Sequence, residues 1–126
     1  WVLSVGHVAA VPLGQLAGRD PDNTRLAAAN APGRLAFDHE DIIEMALTDL
    51  RSRYRDRPDP QHLLGESFTL RQLRQVHEAV DGIEISPDKL DTFRRRMQEK
   101  LIRVDGGPGR PQGRGRPAQL FRRDDD

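Results

Sequence analysis

The residues with the clearest chemical potential are the arginines and lysines of the C-terminal third. Residues 89–123 contain eleven Lys/Arg against three Asp/Glu, whereas residues 1–60 contain seven against nine and the whole chain has a net charge of zero. A basic block of this density at one end of a neutral chain is typical of a surface that binds a polyanion. Arginine can donate two hydrogen bonds to guanine O6 and N7, and it also binds phosphate. The pattern favours nucleic acid, with a solvated arginine-rich tail as the alternative.

The first group of cations falls on a helix that we predict to begin at Pro87, with Ser86 as its N-cap. A buried stripe of this helix is indicated by Leu90, Phe93, Met97 and Leu101. Lys89, Thr92, Arg95 and Arg96 are expected to point outward, with Arg94 and Lys100 at the margin of this face. The predicted DNA contacts are Lys89, Thr92, Arg95, Arg96 and Lys100. We interpret the segment as a recognition helix for the major groove. The alternatives are a charged face that only keeps the helix soluble, and a helix used for protein contact, for which an apolar outward face would be expected.

The second group of cations lies in a loop between two predicted strands. The loop of residues 105–117 has five glycines and three prolines, and it carries the predicted DNA contacts Arg110, Arg114 and Arg116. Ile102 and Val104 before it, and Leu120 and Phe121 after it, follow the alternation of a short β-ribbon. An arginine-bearing loop tethered between strands can follow a phosphate backbone or enter a minor groove. A disordered linker is the alternative.

The element that must position the recognition helix begins at Phe68. Thr69 and Gln72 fit a capping box, and Phe68 can contact Leu73 across it. We predict a helix with apolar positions at Leu70, Leu73, Val76 and Val80, ended by Gly82, and this helix also carries Arg71 and Arg74 as predicted phosphate contacts. Helix, tight turn, helix and ribbon in this order predict a winged helix-turn-helix over residues 61–123.

The N-terminal part is less regular. β-branched residues predict a strand over residues 2–11, and a second extended piece is expected at residues 24–29. So few strands would leave unpaired edges, so they should pair with further sequence or with a second copy. A helix is predicted for residues 38–57, with Asp38 as N-cap and an apolar face that runs from Ile42 to Tyr54. The predicted class is α+β, with an N-terminal β remnant, a linker helix and a C-terminal winged helix.

No catalytic, metal or cofactor site is predicted. The cluster Asp38, His39, Glu40, Asp41 and Glu44 could suggest metal binding, but acidic residues also stabilise the first turn of a helix. His7, His62 and His77 lack the spacing of zinc ligands, and the chain has no cysteine. No apolar run approaches the roughly 18 residues of a membrane span, and no signal peptide is recognisable. We therefore expect a soluble, cytoplasmic protein that contacts no membrane.

Four stretches resemble a known family, the Nudix-related transcriptional regulators of NAD metabolism. WVLSVGHVAAVP is similar to a strand of the family's Nudix domain, and LAFDHEDII is similar to the junction into its linker helix. FTLRQLRQVHEAVDG resembles the first helix of the family's helix-turn-helix, and DTFRRRMQEKLI with GRGRPAQLFR resembles its recognition helix and wing. The resemblance implies that residues 1–37 are the end of a Nudix-like domain, followed by the linker helix and the winged helix.

What the resemblance implies for function is repression of transcription by homodimers on palindromic operators, with an ADP-ribose-like nucleotide as the effector of the Nudix domain. One departure bears on activity, because the Nudix box with its magnesium-binding glutamates has no counterpart in this chain. Hydrolysis is therefore not expected of these residues. The second hypothesis is the non-catalytic end of a Nudix hydrolase that acts on ADP-ribose or a related nucleotide.

Overall fold

The computed structural model describes residues 3, 5–105 and 118–124. It contains three α-helices, α1 (His39–Tyr54), α2 (Leu70–Asp81) and α3 (Leu90–Gln98), and three short strands, β1 (Phe68–Thr69), β2 (Leu101–Val104) and β3 (Leu120–Arg123). The strands form one antiparallel sheet in the order β1-β3-β2. A winged helix is thus formed by α2, α3 and the sheet, as predicted.

Helix α2 begins and ends where its local signals predict. The Thr69 hydroxyl accepts from the backbone N–H of Gln72 (3.2 Å), and the Gln72 side chain accepts from the backbone N–H of Thr69 (2.9 Å). Gly82 closes the helix with φ 71°, a left-handed conformation in which a Cβ would be strained. Phe68 and Leu73, the pair expected to meet across the cap, are both buried in one cluster. The predicted capping box is confirmed.

The recognition segment differs in its first turn. Pro87–Lys89 form a 3₁₀ turn and the α-helix proper begins at Leu90, while Ser86 makes no side-chain capping bond to a backbone N–H. Tight 3₁₀ turns are frequent at the ends of α-helices, and an N-cap residue is only half inside the helix. The predicted helix is therefore present, but it is shorter and its N-cap bond is absent.

The core lies between α2, α3 and the sheet. Phe68, Leu73, Phe93 and Met97 form its buried cluster, and each is at most 5% exposed. Leu70, Ile85 and Leu101 pack around it. Phe93 and Met97 confirm the centre of the predicted buried stripe, and the face of α3 opposite to them is left for solvent. Leu90 is half-buried, and Leu101, predicted as the last position of the stripe, is instead the first residue of β2.

The sheet contains a strand that the sequence did not indicate. Phe68 and Thr69 pair with Phe121 and Leu120 of β3, although two residues are too few for a periodic signal. Strand β2 pairs on the other side of β3, with Val104 opposite Leu120. The sheet thereby attaches both ends of the wing to the start of α2.

Asp59 organises the connection between α1 and β1. Its carboxylate, which is fully buried, accepts from the Tyr54 hydroxyl (3.0 Å) and from the backbone N–H groups of Leu63 (2.9 Å) and Leu64 (2.8 Å). It also forms an ion pair with Arg123 at 2.8 Å. Asp59 has φ 47°, which is a costly conformation for a residue with a Cβ. Four partners on one carboxylate hold this strained turn in place and connect the linker helix to the last strand.

The N-terminal predictions need correction. The structure assigns no strand to residues 3 and 5–38, and a 3₁₀ turn at Leu13–Leu16 is its regular element there. The predicted strand at residues 2–11 is absent from its described part, residues 3 and 5–11, and no strand is formed at residues 24–29. A strand requires a partner for its backbone groups. The apolar side chains of Leu3, Val5 and Val8 remain 94%, 72% and 62% exposed.

Helix α1 is also shorter than the predicted span of residues 38–57. It ends at Tyr54, and Asp38 occupies the N-cap position without a capping side-chain bond. The helix packs on α2, with the Arg51 Nε donating to the Val80 carbonyl at 3.2 Å. Tyr54 is its buried residue, and Ile42 and Met45 remain 41% and 72% exposed. Only the C-terminal part of α1 is anchored on the winged helix by these contacts.

Candidate nucleic-acid interface

The outward face of α3 is cationic and open. Lys89, Thr92, Arg95 and Arg96 are all exposed, as predicted from their spacing against Phe93 and Met97. Arg94 is exposed as well and lies 3.5 Å from the Asp91 carboxylate. This pair is weak, because both side chains are more than half exposed and solvent screens their attraction. The guanidinium groups of α3 are thus available to an incoming ligand.

A groove with a volume of about 150 Å³ follows one side of α3. It lies between α3 and the start of α2, and its cations are Arg71, Arg74 and Arg94. Arg71 is exposed, whereas Arg74 is half-buried and its Nε lies 3.6 Å from the Glu78 carboxylate. The structure therefore brings both predicted α2 arginines beside α3, with Arg71 the more accessible.

A larger cleft of about 840 Å³ follows the opposite side of α3, and we refer to it as the interhelical cleft. Its walls are the C-terminal part of α1, the α2–α3 turn and the side of α3 that carries Lys89, Thr92 and Arg96. Arg51 and Arg55 of α1 line it too. Arg51 and Arg55 are not among the binding residues predicted from the sequence. Their i, i+4 spacing predicts that they share one side of the helix. Only the packing of α1 on α2 shows that this side lines the same cleft as α3.

His77 lies at the base of this cleft and is 4% exposed. Its ring makes edge contacts with Tyr54 of α1 and Phe93 of α3, each at 5.2 Å between centroids. Burial is the main cause that lowers the pKa of His77 from 6.5 to about 4. The imidazole is therefore uncharged at neutral pH, and it serves as a packing element between the three helices.

Lys100 is placed differently from the other predicted contacts. Its ammonium donates to the backbone carbonyl of Asp56, in the turn after α1. Lys100 follows α3, so this bond ties the end of the recognition helix to the end of the linker helix. In this arrangement Lys100 stabilises the interface between the helices, and its contact with DNA stays a prediction.

The wing is described only at its base. Arg110, Arg114 and Arg116 lie outside the described residues. On the strands themselves, Arg103 of β2 and Arg122 of β3 are exposed, and sequence reasoning did not select them. Their alternation with Ile102, Val104 and Phe121 was the signal that could have found them. The base of the wing thus adds two cations, one on each of its two strands.

Other site chemistry is not apparent in the part of the chain that the structure describes. Within residues 3, 5–105 and 118–124, no three His, Asp or Glu side chains are grouped so that they could hold a metal ion. The first turn of α1 contains Glu40 and Asp41, and Glu40 accepts from the backbone N–H of Leu35 at 3.2 Å. Among these same residues, no helix is both long enough and apolar enough to cross a membrane.

Comparison with known proteins agrees with this geometry. Residues 60–123 match the NrtR DNA-binding winged helix domain. The chain is similar to the ADPR responsive transcriptional repressor NtrR of Acinetobacter baylyi, with 34% identity over 88 residues, which are 70% of this chain and 34% of the relative. It thus spans about a third of that curated relative.

Solved structures give the same result. The chain is similar to Shewanella oneidensis NrtR complexed with a 27mer DNA, with 36% identity and a TM-score of 0.52 over 71% of this chain and 39% of that one. A crystal structure of Shewanella oneidensis NrtR matches with 35% identity, the same TM-score and the same coverage. The domain match covers half of the chain and coincides with the winged helix described above, so this chain belongs to the family defined by the NrtR DNA-binding winged helix domain.

Proposed function

We propose that the chain binds double-stranded DNA sequence-specifically, as the DNA-binding part of a transcriptional repressor. The observation that carries this proposal is the exposed face of α3, where Thr92, Arg95 and Arg96 stand clear of the buried stripe. An α-helix fits the major groove, and arginine is the side chain most used to read guanine there. The similar Acinetobacter protein is named a repressor, and a similar Shewanella protein was crystallised with DNA. Both support the proposal.

The contacts divide by position. Thr92, Arg95, Arg96 and Lys89 contact bases or the phosphates next to them. Arg71 and Arg74 contact a phosphate strand from the start of α2, and Lys100 lies at the end of α3 near the same surface. Arg110, Arg114 and Arg116 contact DNA from the wing. Phosphate contacts fix the position of the protein on the duplex, and base contacts provide the sequence preference.

The proposal also assigns a role to the residues before the winged helix. Residues 1–37 are the end of a Nudix-like domain, residues 38–57 form the linker, and two copies bind a palindromic operator as a homodimer. Support comes from the exposed apolar side chains of the N-terminal part, such as Leu3 and Phe37, which are 94% and 95% exposed. Several exposed apolar side chains within one segment are typical of a surface that contacts further protein.

The regulatory role follows from the resemblance to regulators of NAD metabolism. We infer that the parent protein represses genes of NAD metabolism, acts in the cytoplasm at the nucleoid, and responds to an ADP-ribose-like nucleotide. The description of the Acinetobacter relative as ADPR responsive supports the effector. These 126 residues act without catalysis in this proposal, since the Nudix box has no counterpart among them.

A gel-shift series tests the proposal. The chain is titrated against a random duplex and against genomic upstream fragments, at salt concentrations from roughly 50 to 200 mM. Specific fragments should be retained more tightly, and affinity should fall steeply with salt because neutralised phosphates release counterions. Arg95→Ala with Arg96→Ala should abolish the difference between specific and random DNA, whereas Arg19→Ala with Arg53→Ala, which removes the same charge elsewhere, should not. Unchanged specific affinity in the first variant would refute the assignment of α3.

A further inference from the structure

The recognition helix is flanked by cationic surface on both sides. The groove on the α2 side contains Arg71, and the interhelical cleft on the α1 side contains Arg55 beside Lys89 and Arg96. An α-helix with its side chains is about 10–12 Å wide, and the major groove is about 12 Å wide. A helix that lies in the groove therefore has a phosphate strand along each of its sides. Arg71 and Arg74 of α2 are the predicted phosphate contacts on one side of α3. The sequence predicts no phosphate contact from α1 on the other side.

Arg55 is placed to meet that second strand. It is the residue that follows the last turn of α1, it is exposed, and it lines the same cleft as Lys89 and Thr92 of α3. Among the described residues, no carboxylate lies within 4 Å of its guanidinium. Arg51, one turn earlier on the same face, is already held by the Val80 carbonyl. Of the two arginines that line the cleft from the α1 side, Arg55 is therefore the one that remains available to a ligand.

The position of Arg55 relative to α3 is fixed by several contacts. The Tyr54 ring packs against His77, which packs against Phe93 of α3. The Tyr54 hydroxyl donates to the buried Asp59 carboxylate at 3.0 Å, and Lys100 bridges the end of α3 to Asp56. Tyr54 and Asp56, the residues on either side of Arg55 in the sequence, are both held by these contacts. A phosphate that reaches Lys89 and Arg96 thus finds a guanidinium presented from a rigid element.

The charge of the cleft also favours an anion. Four cations line it, namely Arg51, Arg55, Lys89 and Arg96, against the two acids Asp81 and Glu84. His77 adds no charge at neutral pH. Arginine binds phosphate through two parallel hydrogen bonds, so this excess of cations favours a phosphate group in the cleft.

We propose that Arg55 of the linker helix contacts a DNA phosphate in the interhelical cleft, on the strand opposite to the one contacted from α2. This inference rests on the proposed function, because it requires α3 to lie in the major groove. It adds the linker helix to the DNA-binding surface. The interface would thereby depend on the placement of α1 as well as on the winged helix itself.

The test compares Arg55, directly after α1, with Arg53 in the last turn of α1. Arg53 is two residues from Arg55, is 56% exposed and forms an ion pair with Asp49 at 2.9 Å, so Arg53→Ala removes the same charge from another face. The full 126-residue chain, Arg55→Ala, Arg55→Lys and Arg53→Ala are titrated against a fluorescent random duplex, and binding is measured by anisotropy over a series of salt concentrations.

Arg55→Ala should weaken binding about tenfold and reduce the salt slope by about one, because a charged hydrogen bond and one counterion are lost. Arg55→Lys should retain the salt slope, and Arg53→Ala should leave affinity within about twofold of the unsubstituted chain. Equal affinities of Arg55→Ala and Arg53→Ala, with a wild-type chain that binds, would overturn the role of Arg55 alone. A wild-type chain that fails to bind duplex at low salt would overturn the proposed function as well. All three variants should unfold thermally at the wild-type temperature, which would show that a loss of affinity is not a loss of folding.

Discussion

Replacement of Asp59 by alanine should destabilise the protein more than any surface substitution. The carboxylate is fully buried and accepts from Tyr54, Leu63 and Leu64 in addition to its ion pair with Arg123. In Asp59→Ala the guanidinium of Arg123, whose side chain is 12% exposed, keeps its charge but loses its carboxylate. The strained turn at φ 47° also loses the bonds that hold it.

The size of the loss follows from this burial. Breaking a buried ion pair by removal of one partner costs about 3–5 kcal/mol, out of a typical total of about 5–15 kcal/mol for a domain. We expect a loss in this range in the free energy of unfolding. For a winged helix of this size, that corresponds to a decrease in Tm of at least roughly 12 °C.

Urea unfolding followed by circular dichroism measures the effect. Asp49→Ala is the matched control, since it removes an aspartate from an ion pair that is about half exposed and should cost less than about 1 kcal/mol. Asp59→Leu combined with Arg123→Met should recover part of the loss, because no unpaired charge stays buried. If Asp59→Ala unfolds at the same urea concentration as Asp49→Ala, the carboxylate does not have the organising role assigned to it.

Three further predictions concern the scaffold that positions α3. The lowered pKa of His77, about 4 instead of 6.5, means that the neutral ring stabilises the folded state, so this contribution is complete above pH 6.5 and is lost as pH falls toward 4. The contribution of His77 to the free energy of unfolding is at most about 3 kcal/mol. The free energy of unfolding of His77→Phe should therefore depend less on pH between these values than that of the wild type, and equal pH dependence of the two proteins would contradict the prediction. Gly82→Ala should cost roughly 1 kcal/mol in denaturant unfolding because of φ 71°, whereas Gly65→Ala, with no atom within 4 Å of the added Cβ, should cost less, and equal costs would count against backbone strain. Leu73→Ala, at 0% exposure, should cost about 2–5 kcal/mol, and Leu13→Ala, at 71% exposure, should stay within about 0.5 kcal/mol of the wild type; a small loss at Leu73 would place the core elsewhere.

Several elements could be predicted because their causes are local. The capping box of Thr69 and Gln72 and the left-handed Gly82 need only neighbouring residues, and both are as expected. The spacing of Phe93 and Met97 determines which side of α3 is buried, so exposure of Arg95 and Arg96 follows from the sequence by itself. The charge at the C-terminal end likewise needs no coordinates.

Other features depend on partners distant in the sequence, and only the tertiary structure decided them. Strand β1 exists because β3, about 50 residues later, pairs with it, and Asp59 is buried because Arg123 reaches it from the last strand. The N-terminal segment shows the converse, since β-branched residues without a strand partner form no sheet. Arg55 belongs to the proposed interface for the same reason. The sequence indicates only that Arg55 is near the end of a helix, and the packing of α1 through Tyr54 and His77 brings that end beside α3. Local residue pattern thus determined the helices and their faces, while contacts between remote segments determined which faces meet.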